Sequence, residues 1–408
     1  MSGPLSGIKV VELAAFVAAP VTGRMLADLG AEVIKIEAPS GDGWRITGVS
    51  YLPRRFSKDE NPVFDIYNSG KKFISLNLKT PEGKEAFFKL LDEADIFLTN
   101  TRPAALQRLG LDYETLKEKY PRLIYALVLG YGEKGPDKDT PAFDTTAFWS
   151  RTGFLRDLSP KTSEYYPINP PSGVGDTATG YLLLAEIATA LFNRTRTGKG
   201  DIVRSTLYHN GIFCFGTMQI ITQKPFGSVY PCHRKDFGIP SGSYECSDGE
   251  WIYFTLAAPG ALEKVCNITG LSHLLEDPGF APVNRFANRD IYYPMFRDAF
   301  LAKPSSYWTQ IADEIDLTLV RMRHFSDIAE DPQAWENGYV EHVQFRSGNV
   351  DVMPASPIEM GSCTPPKTKP APMPGADTAE VLKQLGYTDE QIQAMLASGA
   401  AIAAKENS

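Results

Sequence analysis

Hydrophobic and polar positions in the first 130 residues fall into two alternating kinds of segment. Short, almost continuous apolar runs have the length of strands and lie at 8–13, 32–37, 73–78, 96–99 and 123–129. Segments with apolar residues at helical spacing separate them and lie at 20–29, 81–94, 104–109 and 113–120. Thr80 and Pro81 are a typical cap and first residue for the second of these helices. Strands that alternate with helices predict parallel pairing, so we expect a doubly wound α/β layer.

A glycine-rich stretch, GVGDTATGY at 173–181, leads into an apolar segment at 182–192. The pattern predicts a turn followed by a helix that starts near Asp176, which places a carboxylate among free backbone N–H groups. Glycines leave room for the reacting atom of another molecule, and their N–H groups could stabilise an oxyanion. The alternative is that Asp176 only caps the helix, because Asp is a preferred N-cap residue.

Composition divides the rest of the chain. Residues 206–222 are apolar on most faces and predict one long buried helix, after which glycine, proline and aromatic residues become frequent beyond Lys224. The segment 243–255 predicts a hairpin with Asp248-Gly249 as its turn. Helices are predicted at 261–269, 292–301, 307–314, 377–386 and 388–398, the last two capped by Asp377 and Thr388. We therefore predict three segments: 1–224, a smaller α+β domain at 225–325, and a return segment with C-terminal helices at 326–408.

Overall composition limits the function classes. The chain has 408 residues, 43% hydrophobic and 22% charged, with a net charge of −8. An acidic chain is not expected to bind nucleic acid, although local Lys and Arg clusters can hold a smaller anion. The five cysteines form no C-x-x-C pair and the five histidines have no zinc spacing, so we expect reduced thiols and no metal site. No apolar window has the length of a membrane helix, and no basic leader precedes the first apolar run, which predicts a cytoplasmic protein without membrane contact.

Known nucleotide motifs are missing or misplaced. Gly173, Gly175 and Ala178 match a loose dinucleotide pattern, but the proline-rich segment before them is no strand, so a nicotinamide cofactor is not expected. Basic residues instead recur where the predicted strands end, at Lys71, Lys72, Lys79, Arg102, Arg108 and Lys138. Ligands of open α/β sheets bind at such ends. Arg102 and Arg108 flank one short helix and suit phosphate binding, with ordinary solvated surface as the alternative for each basic residue.

Several segments taken together resemble family III CoA-transferases, which include formyl-CoA, carnitine and bile-acid CoA-transferases. The segments lie at 10–37, 68–72, 76–83, 94–100, 130–136, 141–144, 175–176 and 377–386. They cover nearly the whole chain in order. The stretch YGEKGPDK at 131–138 is most similar to clostridial members that act on 2-hydroxyacids such as phenyllactate or 2-hydroxyisocaproate.

The resemblance implies a fold and a set of roles. The fold would be a large Rossmann-like domain built from both chain ends, with a smaller domain between them, in an interlocked homodimer. Asp176 falls on the family's nucleophile. CoA contacts would come from Ala18, Ala19, Leu76, Lys79, Asn100, Thr101, Arg102, Arg108, Phe143 and Gly175. CoA and acyl-CoA would be substrates, with no permanently bound cofactor.

Two positions and one loop differ from the family's formyl-CoA enzyme. Ala18 stands where that enzyme has glutamine near the reacting acyl end, and Ala38 stands where it has an arginine. A glycine-rich loop that covers the site there would fall at 237–243, which here has only Gly238 and Gly242.

The implied reaction moves CoA from an acyl-CoA to a free carboxylic acid, through an aspartyl anhydride and an aspartyl-CoA thioester. We expect a branched or aromatic 2-hydroxyacid, with apolar segments at 165–168, 213–218 and 230–237 as pocket candidates. Core packing is the alternative for 213–218. Two other functions remain open: racemisation of 2-methylacyl-CoA by His and Asp bases on the same fold, and CoA binding without chemistry.

Overall fold

The structure, a computed structural model, describes residues 3–52, 60–159, 167, 169–227, 238–285 and 287–404. The chain divides into two compact units. Unit 1 comprises Met1–Leu155, Asn169–Gln223 and Asp331–Ser408, and unit 2 comprises Arg156–Ile168 and Lys224–Glu330. We describe each unit by itself.

The strands, in chain order, are β1 Lys9–Leu13, β2 Glu32–Glu37, β3 Lys72–Leu76, β4 Ile96–Thr99, β5 Ile124–Leu129, β6 Ile202–Thr206, β7 Gly242–Glu245, β8 Trp251–Phe254, β9 Leu319–Arg321, β10 Val340–Gln344, β11 Val350–Pro354 and β12 Ala401–Ile402.

The helices, in chain order, are α1 Ala18–Asp28, α2 Gly43–Thr47, α3 Pro62–Asp65, α4 Pro81–Asp92, α5 Pro103–Leu109, α6 Tyr113–Lys119, α7 Phe154–Leu158, α8 Val174–Thr197, α9 Leu207–Cys214, α10 Gly216–Ile221, α11 Ala261–Ile268, α12 Pro282–Arg285, α13 Arg289–Leu301, α14 Ser305–Glu314, α15 Pro332–Glu336, α16 Thr378–Gln384 and α17 Asp389–Ser398. Short 3₁₀ turns lie at Gly48–Tyr51, Ser272–Glu276, Pro278–Phe280 and Phe325–Glu330, and a π-helix spans Asp144–Ser150.

Unit 1 is built on one large sheet. Its order is β12-β3-β2-β1-β4-β5-β6, and the strands from β1 to β6 are all parallel. The strand β12 pairs antiparallel with β3, so the C-terminal segment completes the sheet started at the N-terminus. The predicted α/β class with a parallel sheet is confirmed, and the strand order 3-2-1-4-5-6 is that of doubly wound nucleotide-binding folds.

Helices cover both faces of this sheet, as parallel strands require. One face packs under α4, α6, α16 and α17, with Phe87, Phe97 and Tyr125 in edge-to-face contact. The other face packs under α1 and α8. Gly180 lets these two helices approach closely, because an added Cβ would lie 2.2 Å from Val21 Cγ1 and 2.8 Å from the Ala18 carbonyl oxygen.

Unit 2 contains a three-stranded antiparallel sheet, β7-β8-β9. Its strands β7 and β8 form the hairpin that Asp248-Gly249 predicted, with Cys246 N donating to the Glu250 carbonyl oxygen at 2.8 Å. Buried aromatic side chains of Tyr244, Phe254 and Phe300 pack this sheet against α13.

Most predicted elements of unit 1 are confirmed within two residues, and β2 and β4 have the predicted bounds. Thr80 caps α4, since its hydroxyl accepts from Gly83 N at 3.1 Å. The prediction of one long buried helix at 206–222 was wrong. The segment forms the last residue of β6 and two short helices: α9 ends at Cys214 and α10 begins at Gly216. Glycine is a poor helix former, and Phe213 is 85% exposed.

The C-terminal helices show one correct and one incorrect cap. Thr388 caps α17 with its hydroxyl, which accepts from Gln391 N at 3.3 Å. Asp377 stands at the start of α16, but its carboxylate accepts from Phe73 N at 2.6 Å instead of capping the helix.

Candidate active site

A cavity of unit 1, about 610 Å³ in volume, opens at the carboxyl ends of the parallel strands. It lies between the segments that follow β1 and β4, two neighbours whose connections run to opposite sides of the sheet. Ligands of doubly wound sheets bind at this reversal point. The residues that line the cavity include Ala14, Phe16, Ala18, Ala38, Asn100, Thr101, Arg102, Lys138, Phe143 and Asp176.

The two segments that form the cavity are joined by side-chain hydrogen bonds. Asn100 Oδ1 accepts from Ala15 N at 3.1 Å, and Asn100 Nδ2 donates to the Ala15 carbonyl oxygen at 2.6 Å. One strand position earlier, the Thr99 hydroxyl donates to the Leu13 carbonyl oxygen at 2.7 Å. The cavity wall is therefore fixed by the residues that end β4.

Phe16 shapes the rim with an unusual backbone conformation. Its φ is +63°, a region that a bulky residue enters only when its surroundings hold it there. Phe16 N donates to Asp42 Oδ1 at 3.0 Å, and the ring lies edge-on to Phe143 at 5.2 Å between centroids. An aromatic pair thus stands at the rim of the cavity.

A buried ionic cluster of Glu12, Lys35, Asp42 and Lys71 supports this rim. Lys35 lies 3.1 Å from Glu12 and 3.0 Å from Asp42, and Lys71 lies 2.8 Å from Glu12. Burial lowers the pKa of Lys71 to about 7, despite the opposing effect of Glu12. Burial also opposes the charge of Lys35, but the carboxylates of Glu12 and Asp42 outweigh it and raise the pKa of Lys35. The Lys35 ammonium also donates to the Ala14 carbonyl oxygen at 2.7 Å, which links the cluster to the cavity wall.

Asp176 lies in the first turn of α8 and lines the cavity. The N-cap of this helix is Gly173, with φ +81°, so the interpretation of Asp176 as the cap was wrong. The glycine takes a left-handed conformation that starts the helix three residues earlier. Within the described residues the Asp176 carboxylate accepts no hydrogen bond, and burial, followed by the nearby charge of Asp144, raises the pKa of Asp176 to about 7.

The glycines beside Asp176 are in contact with aromatic residues of the same unit. A Cβ added to Gly175 would lie 2.4 Å from Phe148 Cγ, and one added to Gly173 would lie 2.8 Å from the Tyr67 hydroxyl. The glycines therefore allow the start of α8 to pack closely against Phe148 and Tyr67.

The structure brings together part of the set that the resemblance implied. Ala18, Asn100, Thr101, Arg102 and Phe143 line the cavity with Asp176. Ala19, Leu76 and Gly175 are buried and are not among its lining residues, and Lys79 and Arg108 are exposed outside it. The CoA contacts of all these residues stay predictions.

Ala38 lines the cavity, so this position does not supply the arginine that the family's formyl-CoA enzyme has there. The basic side chains among the lining residues are those of Arg102 and Lys138, both exposed at the mouth. Sequence reasoning missed the rim residue Phe16, the anchor Asp42 and the buried Asp144. A non-glycine residue at positive φ and a carboxylate folded against a distant helix leave no local signal in the sequence.

The three pocket candidates differ in how far the structure describes them. Segment 213–218 forms the end of α9 and the first half of α10, and it lines no part of the cavity. Residues 165–166, 168 and 230–237, including the start of the segment proposed as a covering loop, lie outside the described residues.

Neither a metal site nor a membrane-spanning helix is found among the described residues. In the described part of the chain, no group of three or more His, Cys, Asp or Glu side chains could hold a metal ion. None of the helices described is long and apolar enough to cross a membrane.

The strand order, the cavity at the reversal point and the Asp176 carboxylate in the first turn of α8 define a doubly wound α/β protein with an acidic group in its cavity. The sequence model of CoA-transferase family III matches residues 5–378, and the chain belongs to this family.

Curated relatives and solved structures match along nearly the whole chain. (R)-2-Hydroxy-4-methylpentanoate CoA-transferase of Clostridioides difficile is 39% identical over 95% of this chain and 97% of the relative. Cinnamoyl-CoA:phenyllactate CoA-transferase of Clostridium sporogenes is 38% identical over 95% of each chain. A crystal structure of a CAIB/BAIF family protein from Brucella suis aligns with a TM-score of 0.79 at 26% identity, covering 94% of this chain and 100% of the other.

Proposed function

We propose that this member of the family moves CoA from an acyl-CoA donor to a free 2-hydroxyacid with a branched or aromatic side chain. The observation that carries the proposal is Asp176: a carboxylate that lines the cavity at the reversal point of the sheet and accepts no hydrogen bond from any residue that the structure describes. Its raised pKa makes it a more basic, and therefore better, nucleophile than an exposed aspartate.

The proposed reaction begins with attack of an Asp176 carboxylate oxygen on the thioester carbonyl carbon. The carbon–sulfur bond breaks, the CoA thiolate leaves with the electron pair, and Asp176 becomes half of a mixed anhydride. The thiolate then attacks the aspartyl carbonyl, which releases the first acid as its carboxylate and leaves an aspartyl-CoA thioester.

The second acid reverses these steps. Its carboxylate attacks the aspartyl thioester and expels the thiolate, which attacks the acyl carbonyl of the new anhydride. The product acyl-CoA forms and the Asp176 carboxylate is restored. No proton is gained or lost in the cycle, and water must be kept out because it would hydrolyse the anhydride.

The structure supports a specific way of holding the CoA phosphates. Because Ala38 supplies no cation, Arg102 and Lys138 at the mouth of the cavity are placed to bind the phosphates, with the adjacent Phe16 and Phe143 rings as an apolar surface. Remote binding energy of this kind can hold the thioester against Asp176.

The substrate class follows from the relatives. The names of the two clostridial relatives include 2-hydroxy-4-methylpentanoate, a branched 2-hydroxyacid, and phenyllactate, an aromatic one. A site that hydrogen-bonds the 2-hydroxyl would reject acids that lack it more strongly than acids that differ by a methylene.

The racemase alternative finds less support. It needs a histidine base beside the aspartate, and no histidine is among the described residues that line the cavity. Racemisation would exchange the α-proton of an acyl-CoA in deuterated water without any acceptor acid, whereas transfer would not. A CoA-binding protein without chemistry would bind CoA but exchange no labelled acid.

We also propose the remaining parts of the family plan: a cytoplasmic enzyme without a permanent cofactor, unit 1 as the Rossmann-like CoA-binding domain, unit 2 as the smaller α+β domain, and an interlocked homodimer. One face of α8 supports the dimer, because Tyr181 is 44% and Phe192 66% exposed there, three helical turns apart. Apolar patches of this kind mark interaction surfaces. Light scattering at several concentrations would show a dimer mass if the proposal is correct.

A matched panel of acids tests the proposed function. The acids are 2-hydroxy-4-methylpentanoate, phenyllactate, their analogues without the hydroxyl, oxalate and glutarate, each assayed with one acyl-CoA donor. We expect kcat/KM for the two hydroxyacids to exceed that for their dehydroxy analogues by about 100-fold or more, because an analogue without the hydroxyl leaves a buried polar group of the site unpaired. Equal rates for both sets would contradict the substrate class, and Asp176→Asn must be inactive with all of them.

A further inference from the structure

Asp144 is a buried carboxylate with no assigned role. It begins the π-helix at Asp144–Ser150, it is 5% exposed, and it does not line the cavity. Among the described residues, neither of its carboxylate oxygens has a partner with full hydrogen-bond geometry. A buried unpaired carboxylate is costly, so its position calls for a physical explanation.

The explanation lies in what Asp144 faces. The π-helix that Asp144 begins packs against the start of α8, where a Cβ added to Gly175 would lie 2.4 Å from Phe148 Cγ. The carboxylate of Asp144 is thereby placed near the backbone N–H groups of Gly173, Gly175 and Asp176 and the indole of Trp149, which act to stabilise its charge. Burial raises the pKa of Asp144, and these donors counter part of that effect. Asp144 therefore occupies the anion position at the positive end of α8.

This arrangement changes the electrostatics of Asp176. A carboxylate in the first turn of a helix is normally stabilised by the free N–H groups and the helix dipole. Here those groups face Asp144, and the charge of Asp144 adds to burial in destabilising the Asp176 anion. Among the described residues, the other titratable groups near this turn are Tyr67 after α3 and Tyr181 on α8, whose pKa values are raised by burial, so both are neutral at pH 7.

We propose that Asp144 is a positioning residue, which lies against the start of α8 and drives Asp176 towards its uncharged, acylated forms. The inference rests on the proposed function of Asp176 as nucleophile. When the Asp176 oxygen bonds to the acyl carbon, its negative charge passes to the CoA sulfur. The repulsion from Asp144 then ends, so Asp144 disfavours the resting carboxylate relative to the anhydride and the thioester.

The first test is the pH dependence of kcat/KM in Asp144→Asn. Loss of the charge lowers the pKa of Asp176, so the acid limb of the profile moves to lower pH while burial keeps it above that of an ordinary aspartate. The ratio of kcat/KM at pH 6 to that at pH 8 is expected to rise, by up to tenfold for each pH unit that the limb moves. The absolute rate at pH 8 falls, because a less basic carboxylate attacks more slowly.

Matched variants separate this role from a purely structural one. Asp65→Asn removes another buried carboxylate, 3% exposed, which accepts from Ala371 N at 3.0 Å. It is expected to lower stability without moving the acid limb. Asp144→Glu keeps the charge and is expected to keep the limb near its original position. A folded Asp144→Asn enzyme with an unmoved limb would overturn the proposal.

A second measurement does not depend on turnover or on the folding of Asp144→Asn. With ¹³C-labelled Asp carboxyl groups, NMR titration follows Asp144 in the wild type and in Asp176→Asn. Coupling is reciprocal, so removing the Asp176 charge must lower the pKa of Asp144. An Asp144 titration identical in both proteins overturns the inference while leaving the transfer function standing. If the titrations of Asp144 and Asp176 are coupled but the protein has no transfer activity, the proposed function is wrong, while the pairing of the two carboxylates stands.

Discussion

Asn100 binds both backbone polar atoms of Ala15, accepting from its N–H at 3.1 Å and donating to its carbonyl at 2.6 Å. The pair joins the end of β4 to the segment after β1, across the point where the order of the sheet reverses. A single amide side chain thus fixes the width of the cavity in which Asp176 lies.

Removal of this amide should loosen the site. Asn100→Ala leaves the Ala15 N–H and carbonyl unpaired, which costs about 1–3 kcal/mol of unfolding free energy. We expect KM for acyl-CoA to rise about tenfold with a smaller change in kcat, measured by steady-state kinetics and chemical unfolding. Asn337→Ala serves as the control, because that exposed amide only donates to the Gln333 carbonyl oxygen one helical turn away. Equal effects of both substitutions would show that the Asn100 pair does not shape the site.

Gly175 should tolerate no side chain. A Cβ there would lie within 2.8 Å of three atoms of Phe148, so Gly175→Ala must shift either the ring or the start of α8. A displacement of about 1 Å at the nucleophile can cost on the order of 100-fold in rate, and we expect a loss of that size.

Two further variants test the cause of that loss. The double variant Gly175→Ala/Phe148→Leu makes room and should recover part of the activity, while Gly216→Ala, where no atom lies within 4 Å of the added Cβ, should leave it unchanged. If the double variant is no better than Gly175→Ala, the steric explanation is wrong.

The two arginines at the two ends of α5, Arg102 at the N-cap and Arg108 in the last turn, should differ in their effects. Arg102 lines the mouth of the cavity, whereas Arg108 does not line it. A hydrogen bond to a charged group contributes about 1.5–3 kcal/mol, so Arg102→Gln should raise KM for acyl-CoA by roughly 10- to 100-fold. The same substitution should not affect a pantetheine thioester, which lacks the nucleotide. A larger effect of Arg108→Gln would move the phosphate site away from the cavity mouth.

The elements of the fold could largely be predicted from the sequence, because strands such as β2 and β4 and the cap at Thr80 depend on local pattern. The position of Asp176 near the start of α8 could also be predicted from the local sequence, although the N-cap residue is Gly173. The left-handed backbone of Phe16 was not predictable, since it is imposed by Asp42, 26 residues away.

The electrostatic partners of the site were equally hidden. Asp144 and Asp176 are 32 positions apart in the sequence, and only the folding of the π-helix onto the start of α8 brings them together. Lys35 appears in the sequence as an ordinary residue of β2, and Lys71 as a basic residue just before β3, yet both are fully buried around Glu12. Tertiary packing, which no local pattern records, creates these contacts.

The buried ionic cluster should make stability depend on pH. The pKa of Lys71 falls from 10.5 to about 7 on folding, mainly through burial. Between these values the unfolded chain binds more protons, so unfolding free energy should rise with pH from 7 upward, by at most about 1.4 kcal/mol per pH unit from this group.

Chemical unfolding from pH 7 to 9 measures that slope in the wild type and in Lys71→Met, where we expect it to be smaller. Lys199→Met, at an exposed lysine, should keep the wild-type slope. Identical slopes in all three proteins would mean that Lys71 keeps its ordinary pKa in the fold.

Chemical trapping of the covalent intermediate tests the central claim most directly. Hydroxylamine, added during turnover with acyl-CoA, should convert an acylated aspartate into a hydroxamate that mass spectrometry can locate. We predict a mass shift of the peptide that contains Asp176, dependent on acyl-CoA and absent in Asp176→Asn. A hydroxamate on another carboxylate, or full turnover with no modified peptide, would contradict the assignment of Asp176 as the nucleophile.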